Sequence, residues 1–312
     1  MSSKMATSCT FGSMSERTVL PQTYRAKILL PMGLVAISFA SILIRICEAP
    51  PLIIAAYRLT LATLFLIPFT LPRMLRELRL LGRQEILPSL LAGLFLCFHF
   101  ALWVSSLKYT SVASSVIFVT TNPIFVALAS TLFLGERLSA ALLLSILVAV
   151  LGGVIIGWGD WDKGPQNLYG DFLAVLGAIM ATGYLLMGRR VRPRMDLSGY
   201  ITLVYGMAAV LLVFLALIGG DAFFSYPPKT YLLFFLLALV PQLIGHTAMN
   251  WALKFFSATL VALVILGEPI GATILAYLIL GEPLSKNLVW GGPLVLLGIY
   301  LSAREERRLG KI

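Results

Sequence analysis

Two charged side chains stand inside long apolar runs, Glu268 and Arg58, and they bound the chemistry open to this chain. An acid near the centre of a bilayer costs about 2.5 to 3.5 kcal/mol on insertion scales, so Glu268 is expected to carry a proton or to meet a cationic group. The plainer reading is a neutral carboxyl hydrogen-bonded to a neighbouring helix. Arg58 presents a planar fork suited to a carboxylate or phosphate, or to a pair with nearby Glu48. His99, Trp103, Gln242, His246, Asn250 and Trp251 concentrate hydrogen-bonding and aromatic groups in two otherwise apolar runs. They are candidate contacts for a bound small molecule, set against the plainer alternatives of packed histidines and interfacial tryptophans. His246 is favoured because Asn250 follows it at i+4. Asn122 and Glu268 each precede a proline, Pro123 and Pro269, which are expected to act as hinges. Cys9, Cys47 and Cys97 lie far apart without metal-ligand spacing. With no phosphate-binding loop, no His-Glu-x-x-His and no paired intramembrane aspartates, neither a metal, a cofactor nor an enzyme is expected.

The elements that hold these residues follow from composition. The 312 residues are 59% apolar and 12% charged with a mean hydropathy of +0.93. A soluble chain carries roughly 25% charged residues, so the excess must face lipid, and soluble-enzyme and nucleic-acid readings fall away. Ten apolar runs, too long for barrel strands, predict an all-α membrane protein with spans at 28–46, 51–71, 86–107, 111–134, 138–158, 170–188, 197–218, 230–253, 257–280 and 287–303. An even count puts both termini on one side. That side would hold 18 of the Lys and Arg residues against five on the other, so both termini are expected in the cytoplasm, within a bacterial inner membrane. Residues 1–27 read as a disordered polar tail without a secretory signal, with Met14 as an alternative start, and 304–312 as a basic tail.

A shift of 146 residues lays Lys108 on Lys254, Ser111 on Ser257, Asn122-Pro123-Ile124 on Glu268-Pro269-Ile270, and Leu134-Gly135-Glu136 on Leu280-Gly281-Glu282. Ten of the 32 positions from 108 to 139 are identical. The chain is thus expected to be a duplicated five-helix unit, 28–158 and 170–303 joined by a loop at 159–169. Five is odd, so the copies are inverted, an arrangement built around a midplane site with two alternate exits. Asn122 then mirrors Glu268, whereas Arg58 has only Val204 and Tyr205 opposite it, so a site would be polar in one half. Small residues at Gly153 and Gly157, and at Gly298 and Ser302, are expected to join the halves or to form a homodimer surface.

These residues resemble the EamA-type branch of the drug/metabolite transporter superfamily, through five plus five spans, a mid-span proline in the fourth and ninth, and Leu-Gly-Glu after each. The resemblance covers about residues 28–303 and implies a central cavity lined by spans one, three, four, six, eight and nine. It implies a secondary transporter working by alternating access, moving a small polar or zwitterionic, amino-acid-like solute, with export the expected direction and a proton as a possible coupling ion. The alternatives are an importer or exchanger of a nucleoside-, vitamin- or cofactor-like solute and, more distantly, a membrane-embedded enzyme. The expected partners are the small-molecule substrate and the lipid bilayer, with no nucleic acid.

Overall fold

The computed structural model describes residues 22–135, 138–158, 165–281 and 286–309. Every regular element among them is helical: α1 (Gln22–Arg45), α2 (Pro51–Leu80), α3 (Arg83–Tyr109), α4 (Val112–Val119), α5 (Asn122–Leu134), α6 (Ala140–Trp158), α7 (Pro165–Val191), α8 (Leu197–Ile218), α9 (Pro228–Leu237), α10 (Thr247–Ala252), α11 (Ala258–Ile265), α12 (Glu268–Leu275) and α13 (Lys286–Arg308). Two π-helical stretches, Ala238–His246 and Ala276–Leu280, run on from α9 and α12. Eight segments are long and apolar enough to cross a membrane, while Ala140–Ile156 is a shorter apolar helix and α13 is not among the eight. Several helices outrun the expected spans: α1 starts six residues early, α2 continues to Leu80, and α7 begins inside the expected 159–169 loop. The stretch 1–21 with Cys9 and Met14, Glu136, Glu282, residues 159–164 and the last three residues lie outside the described residues.

The fourth and ninth rods are broken rather than merely kinked. Each begins on a serine whose Oγ caps the first turn, Ser111 accepting from Ser114 N at 3.1 Å and Ser257 from Leu260 N at 3.0 Å. Each is interrupted midway, at Thr120-Thr121 and at Leu266-Gly267, and resumes with Asn122-Pro123 or Glu268-Pro269 in its first turn. Proline supplies no N–H and is suited to a helix start, so the restart satisfies it where a continuous helix would not. The backbone left over at the first break is covered locally: Thr120 Oγ1 donates to Val116 O at 2.7 Å and Thr121 Oγ1 to Phe118 O at 2.7 Å. Both rods stop at a glycine in the left-handed region, Gly135 (φ 65°) and Gly281 (φ 69°), which any larger residue would strain.

The two halves interlock pairwise. The most extensive packing joins α3 to α7, α6 to α13 and α2 to α8, while α1 lies on the π-helical stretch 238–246 and on α12. Small residues set these distances. A Cβ on Gly152 would meet Gly291 O at 2.6 Å, and one on Gly298 would meet Ala149 Cβ at 2.5 Å. The α6–α13 seam therefore uses Gly152, Gly291 and Gly298. Gly153, expected at this seam, has only Leu266 Cδ1 at 3.5 Å, one residue round the helix. The small faces join the halves within the chain. Large apolar side chains such as Phe69, Leu132, Phe133 and Trp290 cover the outside, a surface suited to lipid rather than water.

Candidate functional site

The breaks in the fourth and ninth rods face one another across an internal cavity. Val119 and Asn122 line it from one break, Ile265 and Glu268 from the other, at positions matched by the 146-residue shift. α1 adds Ile37 and Ala40, α3 adds His99 and Trp103, α7 adds Ala181, Tyr184 and Leu185, the π-helical stretch Ala238–His246 adds His246 and α10 adds Met249. Val119 and Ile265 are the residues whose carbonyls a continuous helix would pair with the positions that the prolines fill. The cavity measures about 40 Å³, room for about three water molecules. Metabolite pockets usually run from roughly 300 Å³ upward, so a metabolite would have to part the two halves.

Three residues that line the cavity carry buried polar atoms without a hydrogen-bond partner among the described residues, Asn122 Oδ1, Glu268 Oε1 and Trp103 Nε1. His99 Nδ1 is tied to Gly177 O at 3.0 Å, which steadies the ring in near-parallel alignment with Trp103 at 5.9 Å and 12°. Phe100 stands behind, its centroid 5.3 Å from His246 and 4.2 Å from the Arg58 guanidinium carbon. Arg58 is buried to 1% exposure and anchored only by its Nε, which donates to Gln242 Oε1 at 2.9 Å, while both terminal nitrogens are unpartnered. Arg58 and Glu268 feel each other's charge without forming an ion pair.

A second layer of buried polar groups leads away from this centre. Asn250 Nδ2 donates to Tyr205 Oη at 3.1 Å, Tyr205 Oη lies 3.3 Å from Thr247 Oγ1, and Asn250 O accepts from Arg192 Nε at 3.0 Å. Arg192, the first residue of the loop between α7 and α8, also donates to Met195 O within that loop. In that loop Asp196 N donates to Glu77 Oε1 at 3.0 Å.

Of the residues predicted from sequence, His99, Trp103, Asn122, His246 and Glu268 line the cavity. Arg58, Gln242 and Asn250 sit one layer behind it. Trp251 is elsewhere, half-buried against Phe255 at 5.0 Å. Asn250, although i+4 from His246, does not line the cavity, and its amide is taken by Tyr205. Among the described residues no ion pair joins Arg58 to Glu48; the guanidinium is buried against Phe100 and Gln242 instead. Pro123 and Pro269 set the breaks without lining the cavity. Sequence reading missed Tyr184 and Tyr205. A tyrosine in the middle of an apolar helix was the available signal, because its hydroxyl needs a partner when buried.

A family model described as the EamA-like transporter family matches residues 26–158 and again 168–304. An uncharacterized transporter of Bacillus subtilis, YdfC, is 25% identical over 286 residues, covering 91% of this chain and 92% of the relative. The pseudopaline exporter CntI of Pseudomonas aeruginosa is 29% identical over 184 residues, 59% of this chain and 63% of the relative. A crystal structure with 19% identity superposes with a TM-score of 0.73 over 92% of this chain and 99% of the other, a likeness of fold.

Proposed function

The chain belongs to the EamA-like transporter family, and on that premise we propose that it is a secondary transporter whose substrate binds in the midplane cavity between the two broken rods. The observation that carries this reading is that Asn122 and Glu268, matched residues of two interrupted helices, line one cavity within an apolar bundle. Helices broken at the midplane expose helix starts and free carbonyls where a solute can be held without water. The two halves, 28–158 and 170–303, then act as inverted five-helix repeats in a ten-span bundle, with α6 and α13 as the spans that tie them together. Both termini lie in the cytoplasm of a bacterial cell, as the Lys and Arg distribution favours.

The substrate is a small polar or zwitterionic, amino-acid-like molecule. Glu268 lines the cavity with an unpartnered Oε1 and Arg58 lies one layer behind it with unpartnered terminal nitrogens, an acid and a base that suit a solute carrying both charges once the cavity opens. Export is the direction we favour, since one relative is named an exporter. The parallel His99 and Trp103 rings favour one rival, a larger ring-bearing solute such as a nucleoside or vitamin, taken up or exchanged. Efflux and uptake of labelled amino acids and nucleosides in sealed vesicles, with and without a pH gradient, separates the two. Stimulated amino-acid efflux supports the first reading, nucleoside flux alone supports the second, and no flux of any solute refutes both.

A further inference from the structure

A groove separate from the central cavity lies between α1, α11 and α13, on the side of the termini. It measures about 400 Å³, and Leu30, Leu34, Leu260, Val264, Leu296 and Ile299 make its walls apolar. Pro31 and Leu296 are exposed, so the groove opens to the outside of the bundle. Lys27 and Arg307 are the charged residues that line it, and both stand at the end nearest the termini. The groove follows α13 from Arg307 to Leu296, about 16 Å, and α1 from Lys27 to Leu34, about 10 Å, at a rise of roughly 1.5 Å per residue. The apolar core of a bilayer is about 30 Å thick, so this length is the depth of one leaflet.

The matched place in the other half is closed. A shift of 146 residues carries α1, α11 and α13 onto α7, α4 and α6, and there α4 packs closely on α7, whereas α11 barely touches α1. Thr110 and Ser114 stand where the groove has Phe256 and Leu260, and both donate to Asp171 Oδ1, at 2.8 and 2.9 Å. Gly177 stands where the groove has Pro31, and a Cβ on it would meet Val119 Cγ2 at 3.5 Å. Asp171 itself falls opposite Arg25. Polar bonding and a small residue thus seal one interface, while its match turns apolar side chains toward a gap that no described helix fills.

The acids beside the mouth are engaged within the chain. Glu305 pairs with Arg308 at 2.9 Å, and Glu306 accepts from Ser257 Oγ. Arg307 is exposed and forms no ion pair among the described residues. A guanidinium and an ammonium at the mouth match a phosphate, and an apolar trough one leaflet deep matches a hydrocarbon chain. We propose that this groove binds an anionic phospholipid from the leaflet on the side of the termini, with an acyl chain along α1, α11 and α13 and the phosphate at Lys27 and Arg307. The site needs only the membrane setting of the family and is independent of what the central cavity carries. Its deep end reaches the broken ninth rod, because a Cβ on Gly267 would meet Leu34 Cδ2 at 2.8 Å.

Native mass spectrometry of the full-length protein in detergent micelles, titrated with phosphatidylglycerol or with phosphatidylethanolamine of identical chains, reads bound lipid directly. One phosphatidylglycerol should be retained more tightly than any further lipid and more tightly than phosphatidylethanolamine. Arg307→Gln should weaken that binding about fivefold, the worth of one basic residue at an anionic headgroup. Arg304→Gln makes the same change of charge on α13 outside the groove, where Arg304 lies with Leu144 and Arg308, and should leave the binding unaltered. Ala303→Phe places a ring in the groove and should abolish the tight binding; Leu296→Trp, at an exposed wall position, serves if the first variant fails to insert. The proposal is overturned by no retained lipid, by equal retention of the two headgroups, or by equal losses from Arg304→Gln and Arg307→Gln. A tight lipid that survives the blocking variant, or a dimer that this variant breaks, overturns it as well.

Discussion

Glu268 and Arg58 divide the labour of the site unequally, because only one of them lines the cavity. Glu268 and its matched partner Asn122 line the same cavity, but Asn122 is one methylene shorter and cannot ionise, so the carboxyl is contributed by the second half. Glu268→Gln keeps the shape of the side chain and removes its charge. We expect it to abolish pH-driven flux while the protein still reaches the membrane, a pair of results read by vesicle transport and by membrane fractionation. Arg58 is held by Gln242 and capped by Phe100, so Arg58→Ala removes packing as well as charge. Arg58→Lys should therefore restore insertion better than it restores transport, since a point charge does not replace the fork. The costs of burying these two groups made them legible in the sequence. Their neighbours were not legible: that Phe100 separates Arg58 from the histidines, and that Tyr184 completes the wall, depends on how α2, α3 and α7 pack, which no spacing along one helix reports.

The broken rods show where helical periodicity stops being informative. The serine caps, the paired prolines and the glycine stops all stood in the sequence at a constant offset, and each takes the same conformation in both halves. Whether proline bends a helix or restarts it is decided by the residues before it, and Thr120 and Thr121 supply the side-chain hydrogen bonds that let the first rod stop. Replacing Pro123 and Pro269 together by Ala returns an N–H to each break and favours continuous helices. Flux should fall while thermal stability is kept or raised, since helix interiors prefer Ala by about 3 kcal/mol over Pro. The π-helical stretch carrying Gln242 and His246 was invisible to a reading based on a 3.6-residue period, and it includes Pro241, which removes one hydrogen bond of an ordinary α-turn. At the α6–α13 seam the expected Gly298 is in place, while on α6 the close contact falls on Gly152, one position from the expected Gly153. Gly152→Val should therefore cost about 1 to 3 kcal/mol, whereas Gly153→Ala should be nearly neutral, a contrast readable by thermal unfolding in detergent.

At the scale of the molecule, the interlocking of α3 with α7, α2 with α8 and α6 with α13 means that neither half has an independent core. The all-helical membrane class and the family could be read from the chain, because each is written in composition or in motifs. The size of the cavity could not, since it depends on how closely glycine-lined helices approach. With room for only a few waters, the cavity must open for a metabolite to enter, and the central claim is that it opens to each face in turn. The most direct measurement starts from a variant with Cys9, Cys47 and Cys97 replaced and a single cysteine at Ala181, a cavity-lining position on α7. Thiol reagents that cannot cross the membrane are then applied from one side or the other of sealed, oriented vesicles. Alternating access predicts modification from both sides, each slowed by a transported solute. Modification from one side only, or from neither under conditions of active flux, would contradict it.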